Sequence, residues 1–287
     1  MSVKKRLLST QEQRRLSEIL QTAAIAALMD SRRWQPGDIA FQGGTSLHLA
    51  HGSARFSEDL DFMVRGGLSL DGLSQQIQNK LRLPPDIPAD LSLSVSAAKD
   101  HRNPHSFYVM LSGSQVLGSA KVKIELWQTA DAALKSLQLK VSTVTSPAGQ
   151  AFVPTLTLAE IFADKVYALG GRDRIKPRDV FDLSWLCKKQ MPPLTLKVLC
   201  IRLEIYPVKS GDLVDTANVW LVNAADRLSD LKASHAASDV ATDLKRWLPT
   251  SWAMDKQIAA EMLQPAIEQL QLGMKLMRDF VLEQGAR

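Results

Sequence analysis

Leu16, Ile19, Leu20, Ala23, Ala24 and Ala27 recur at helical spacing and fall on one stripe of a helix. Thr10 and Gln13 form a capping-box pattern ahead of them, and the helix is expected to end near Asp30. The pattern then shortens. Segments 39–41 and 60–64 read as strands, with a short helix over 45–50 between them. A helix over 70–81 is stopped by Pro84 and Pro85. Strand-like runs follow at 91–95, 106–111, 116–126 and 137–144.

The character changes between residues 146 and 157, around Pro147, Gly149 and Pro154. Thr157 and Glu160 form a second capping-box pattern. Helical periodicity then dominates, with helices expected over 158–169, 178–188, 194–205, 213–225, 238–247 and 254–283. The chain therefore divides into an α/β (α+β) part with a mixed sheet, 1–154, and an all-α part, 155–287.

The 287 residues are 45% hydrophobic, enough for a sizeable core and against disorder. A net charge of +5 favours a polyanionic partner such as RNA, although a basic protein without such a partner fits the charge equally well. Cys187 and Cys200 match no zinc or redox spacing and sit in apolar helical contexts, which predicts reduced core thiols in a cytosolic protein. No apolar run is long enough to span a bilayer, and the N-terminus has no signal-peptide core. Lys4, Lys5 and Arg6 read as a solubilising end.

Within this frame one segment carries chemistry. In FQGGTSLHLAHGSARFSEDLDFMV, from Phe41 to Val64, a double glycine and two hydroxyls (Gly43, Gly44, Thr45, Ser46) precede Asp59 and Asp61. Residues two apart on a strand point to one face, so a strand here aims both carboxylates into one site. Two adjacent carboxylates repel unless a cation neutralises them. Oxygen ligands suit a hard cation such as magnesium, which takes one or two carboxylates plus substrate phosphates. The glycine turn offers backbone N–H groups and hydroxyls for a phosphate.

Glu125 stands between Ile124 and Leu126 in a strand-like run, where burial alone would be costly. It is the candidate third carboxylate of a two-metal site, against the plainer reading of an exposed edge-strand Glu. Further on, Asp164 and Lys165 lie in an amphipathic helix, and Arg172, Arg174, Lys176 and Arg178 crowd a loop formed with Gly170 and Gly171. Asp179 and Asp182 follow at i, i+3 on one helix face. Such a cationic loop can hold a triphosphate or an RNA backbone. Alone, it reads sooner as a solvated basic loop, and only beside the carboxylate pair and the glycine turn does the functional reading overtake it.

Gly-Gly-Thr-Ser-Leu, then Arg55-Phe-Ser-Glu-Asp59-Leu-Asp61-Phe, then Asp164-Lys165, then Arg178-Asp179-x-x-Asp182-Leu together resemble the AbiEii/AbiGii toxin family, nucleotidyltransferases of the DNA polymerase β-like superfamily. The resemblance runs from about residue 38 to about 190. It implies a nucleotidyltransferase fold whose helical part completes the site. It implies that Gly43, Gly44, Thr45 and Ser46 hold the NTP, that Asp59, Asp61 and Glu125 bind magnesium or manganese, and that Arg55 and Ser57 brace the intervening loop. Lys165 would contact the triphosphate, with Arg178, Asp179 and Asp182 supporting the site. The implied activity is transfer of NMP to an RNA acceptor, a tRNA 3′ end first among them. This would block translation in the cytoplasm until a cognate antitoxin neutralises it. The same site could modify a protein or small molecule, or be a silent nucleotide- or RNA-binding module.

Other features read as structural. His48 and His51 lack a third zinc ligand, and His101, His105 and His235 read as surface residues. Trp127, Trp185, Trp220, Trp247 and Trp252 fall at core-like positions, and Met254, Met262, Met274 and Met277 fit bundle packing.

Overall fold

The computed structural model describes residues 5–97, 103–207 and 211–285, so His101 and Lys4 lie outside the described residues. The chain forms two compact units: Met1–Gly52, Ser57–Leu134 and Leu139–Thr155 make the first, and Ser53–Phe56, Lys135–Gln138 and Leu156–Arg287 the second.

The elements of the first unit run β1 (Arg6–Leu7), α1 (Thr10–Asp30), β2 (Ile39–Gln42), α2 (Gly43–His51), β3 (Leu60–Arg65), α3 (Leu73–Lys80), β4 (Ser92–Ala97), β5 (His105–Ser112), β6 (Val116–Leu117), β7 (Ala120–Thr129), α4 (Asp131–Ser136, shared with the second unit), β8 (Leu139–Ser146) and β9 (Gly149–Leu156). Seven strands form one mixed sheet in the order β4-β5-β7-β3-β2-β9-β8. Strand β3 is parallel to β7 and antiparallel to β2.

One face of this sheet is apolar. Leu60, Phe62 and Val64 of β3, Val122, Ile124 and Leu126 of β7, and Phe107, Val109 and Leu111 of β5 are all inaccessible to solvent. Helix α1 packs on β5, β7 and β8 through a stripe that includes Leu16, Leu20, Ala24 and Leu28. Burying each of these leucines stabilises by about 1.5–3 kcal/mol. Because strand side chains alternate, the residues between the core positions (Asp61 on β3; Lys121, Lys123 and Glu125 on β7) share the opposite face.

Several expectations need correction. The cap of α1 is Ser9, whose hydroxyl accepts from Glu12 N–H at 3.2 Å, one residue earlier than the Thr10–Gln13 box. The 116–126 run is two strands, β6 and β7, broken at Gly118, whose φ of 93° leaves the extended region. Stretch 149–156, where punctuation suggested a change of region, is strand β9, paired parallel to β2 at Phe41 and Thr155. Helix α4 was not foreseen.

The second unit holds α5 (Leu158–Gly171), α6 (Pro177–Cys187), α7 (Leu196–Ile205), α8 (Leu213–Lys232), α9 (Ala236–Leu244) and α10 (Lys256–Gly285). Gly170 and Gly171 end α5 rather than forming a loop. A Cβ on Gly170 would sit 2.4 Å from the Trp220 ring, so only glycine lets α8 approach this closely. Trp220 donates to Tyr167 O at 2.8 Å and stacks on the Tyr167 ring at 5.9 Å. Thr157 caps α5 without a side-chain bond, and the Glu160 carboxylate accepts from Gln138 N–H and pairs with Arg202, while Thr157 N–H donates to Gln138 O.

The methionines at 254, 262, 274 and 277 are buried, as bundle packing requires. Of the tryptophans, Trp220 and Trp247 are core residues, Trp127 and Trp185 are half-buried, and Trp252 is 43% exposed. Cys187 is exposed and Cys200 half-buried, so neither thiol is a core residue. His105 is half-buried on β5 against the edge of Phe107, whereas His235 is exposed. Among the described residues, no helix is long and apolar enough to cross a membrane.

Candidate active site

Asp61 is the second residue of β3, and Asp59 immediately precedes the strand. Both are half-buried, whereas Leu60 and Phe62 beside them are wholly buried. Asp61 pairs in register with Gln42 of β2 on one side and Glu125 of β7 on the other. Paired residues of neighbouring strands share a face, so the Asp61 and Glu125 side chains stand side by side. The strand thus brings together two of the three predicted carboxylates by register alone, and Asp59 lies one residue before it.

Helix α2 begins beside Asp61. Gly43 has a φ of 77°, and a Cβ there would lie 2.4 Å from Asp61 Oδ2. Two constraints therefore require glycine: the left-handed backbone and the approach of the carboxylate. Gly44, Thr45 and Ser46 occupy the buried first turn. Thr45 Oγ1 donates to the Asp59 carbonyl, tying this turn to the start of the carboxylate segment. Ser46 Oγ is buried without a hydrogen-bond partner in the structure.

Sequence reasoning missed Gln21. From the middle of α1 its amide donates to Ser57 O at 2.6 Å and Glu58 O at 3.1 Å, fixing the segment just before Asp59. Ser57 itself is buried. A lone polar residue within an alanine-rich stripe was the available signal.

Lys123 was also missed. Its ammonium bridges Glu125 two residues along β7. Burial would lower the Lys123 pKa, but the hydrogen bond and charge of Glu125, helped by Asp59, hold it above the usual lysine value. The donors at Asp59 and Asp61 are all oxygens, and Gly43 lets the Asp61 carboxylate lie against the turn where a Cβ would collide with it. Asp59 and Asp61 therefore fit a hard cation that completes its shell with phosphate and water. Glu125 is placed beside them but is engaged by Lys123. Among the described residues, no group of three or more His, Cys, Asp or Glu is arranged to hold a metal ion.

The second unit contains a buried charge network. Arg55 donates through Nε and Nη2 to the two oxygens of Asp182, at 2.7 and 2.8 Å, and through Nη1 to its neighbour's carbonyl, Phe56 O. Phe56 N–H donates in turn to Trp247 O at 2.8 Å. Lys165 Nζ lies 2.8 Å from Asp182 and 2.9 Å from Asp179, and Arg172 also binds Asp179. Three cations thus share two carboxylates. Burial favours the neutral acid at Asp182, but Lys165 and Arg55 outweigh it and hold its pKa below the usual value. At Lys165, burial together with the charges of Arg55 and Arg172 lowers the pKa despite Asp182.

The excess positive charge continues along the loop. Lys176 is pushed below the usual lysine value chiefly by Arg172, then by burial and by Arg178, Lys165 and Arg174. Arg227 of α8 holds this loop at the carbonyls of Arg172 and Asp173. Arg178 lies over the Trp247 ring, 4.4 Å from its centre. Asp164, the neighbour of Lys165, turns to the buried Arg202 of α7 at 2.8 Å, which also binds Glu160. Asp164 is thus part of the helix packing, not of the cation cluster.

The family described as nucleotidyl transferase AbiEii toxin, type IV TA system, matches residues 27–245. No curated protein matches the chain. Among solved structures, the chain is similar to JHP933 from Helicobacter pylori, at 21% identity and a TM-score of 0.51 over 97% of this chain and 98% of that one. It is also similar to the nucleotidyltransferase toxin MenT4 from Mycobacterium tuberculosis H37Rv, at 16% identity and a TM-score of 0.51 over 93% and 94%. At these identities the structural likeness speaks for the fold, while the family match covers most of the sequence.

Proposed function

The chain belongs to the AbiEii nucleotidyl transferase toxin family of type IV toxin–antitoxin systems, and from that premise we propose that it transfers NMP from an NTP to the 3′ end of an RNA, tRNA first among the candidates. The observation that carries the reading is the in-register pairing of Asp61 with Glu125, beside Asp59 and against Gly43, whose missing side chain lets the Asp61 carboxylate approach. The acceptor oxygen attacks the α-phosphorus, the bond to the β-phosphate breaks, and pyrophosphate leaves. One of these carboxylates takes the hydroxyl proton.

Asp59 and Asp61 would hold magnesium or manganese, which when bound would acidify the acceptor hydroxyl and offset charge on the departing pyrophosphate. The amides of Gly43 and Gly44 begin α2, where a helix N-terminus favours phosphate. Thr45 holds that turn to Asp59, so the phosphate-binding turn and the carboxylates keep one geometry. Within the second unit by itself, Lys165 and the 172–178 loop concentrate positive charge of the kind that suits a phosphate-bearing ligand, an electrostatic contribution. Asp179 and Asp182 hold Lys165 in place, and Arg55 in turn fixes Asp182. A cognate antitoxin would neutralise the activity.

The test is incubation of the protein with each labelled NTP, magnesium or manganese, and total RNA, protein and small-molecule fractions. Label in RNA, mapped by sequencing of the extended 3′ ends, is the expected result. Label in protein or small molecules would reassign the acceptor, and label in none would overturn the transfer reading.

A further inference from the structure

The face shared by β3 and β7 carries the carboxylates of Asp61 and Glu125, with Asp59 just before β3, and the ammoniums of Lys121 and Lys123. Asp61 and Glu125 form one rung, and Asp59 and Lys123 are the residues just before the next rung, Leu60–Ile124. Lys123 binds Glu125 and feels the charge of Asp59. Its side chain is 31% exposed, so it is neither a buried structural cation nor a freely solvated one. Lys121, the next residue outward on this face, has its ammonium over the Tyr108 ring at 3.7 Å and is committed there.

Lysine places a compact charge on a flexible stem. Arginine would lock a carboxylate with a planar two-pronged bond, whereas a lysine bond is readily exchanged. A triphosphate offers the ammonium more negative charge than one glutamate does. A divalent cation at Asp59 and Asp61 would meet an ammonium already spending its charge on the same row of carboxylates.

We propose that Lys123 is the resident counter-cation of the carboxylate row: without nucleotide its ammonium holds Glu125 and opposes divalent-cation binding, and an arriving triphosphate draws it away, so that metal and nucleotide enter together. Glu125 is thereby released to act as a carboxylate of the site only when substrate is present. This inference rests on the nucleotidyltransferase reading of the site.

The test is a manganese titration of the full chain, followed by electron paramagnetic resonance of the free ion, with and without nonhydrolysable NTP analogues. Without nucleotide, Lys123→Gln should bind manganese roughly tenfold more tightly than wild type, the scale expected on removing a nearby unit charge. Lys123→Arg, which keeps the charge, should stay at least as weak as wild type. The analogues should tighten manganese binding to wild type far more than to Lys123→Gln. Manganese binding to wild type with analogues, but no gain in Lys123→Gln, would overturn the inference alone. No manganese binding by any of these proteins, with or without analogue, would overturn it together with the transfer reading. Lys123→Met is the second neutral variant, read with thermal melting as a check on folding.

Discussion

Arg55 and Asp182, 127 residues apart in the chain, are joined by two hydrogen bonds of 2.7 and 2.8 Å, and their side chains are 2% and 0% exposed. Asp182 also receives Lys165 at 2.8 Å. The pairing makes Asp182 an organising residue that fixes two cations, one of them in the loop that leads to Asp59. Its substitution therefore acts on folding as well as on activity.

Asp182→Asn should destabilise the protein by about 3–5 kcal/mol, because it leaves buried cations with less compensation. Urea denaturation of the variant beside wild type measures this. A loss below about 1 kcal/mol would mean that the network does not hold the unit together.

The same pair sets an acid dependence. The folded pKa of Asp182 lies below its ordinary 3.8. The unfolded chain therefore takes up its proton first as pH falls, and folding loses stability through that window. The contribution is complete above the ordinary value and drains away as pH falls from there through the folded pKa. Stability measured between pH 6 and pH 3 should fall in wild type and fall less steeply in Asp182→Asn. Equal slopes would contradict the assignment.

Gly43→Ala places a methyl 2.4 Å from Asp61 Oδ2 at a φ of 77°. The backbone penalty is about 1–2 kcal/mol, but the larger effect should be displacement of Asp61. Transfer should fall by about 10²-fold, the scale of a 1 Å misplacement, in a protein that still melts cooperatively. Near-wild-type turnover would show that this approach is not needed for activity.

Lys165→Met keeps the length of the side chain and removes its charge. Arg55 remains on Asp182 and Arg172 on Asp179, so the fold should survive better than in Asp182→Asn. NTP use should weaken, seen as a higher KM for NTP with or without a lower kcat. Unchanged kinetics in the folded variant would place the triphosphate elsewhere.

Much of this was legible in the sequence because it is local or periodic. An acid between apolar residues of a strand, as at Asp61 and Glu125, marks a face that cannot be core, and the 3.6-residue pattern located α5 to α10 to within a few residues at most boundaries. Strand β9 was hidden by Gly149 and Pro154, which normally punctuate loops but here begin a strand and occupy its interior. Ser9 was hidden because Thr10 offers an equally good capping pattern one residue later. Gln21, Arg202 and Arg227 each donate to a partner 36 to 55 residues away in the chain. No spacing rule reports such partners. Lys123 carried no signal of its own in the strand-like run, and only its ion pair with Glu125 and the register of β7 against β3 place it beside the carboxylates.

The central claim is that Asp61 serves nucleotidyl transfer. It is tested most directly by single-turnover incorporation of labelled NTP into RNA, comparing wild type with Asp61→Asn and confirming both folded by thermal melting. Label should enter RNA with wild type in the presence of magnesium or manganese, and the variant should fall to background. A folded Asp61→Asn protein that labels RNA at the wild-type rate would contradict the account.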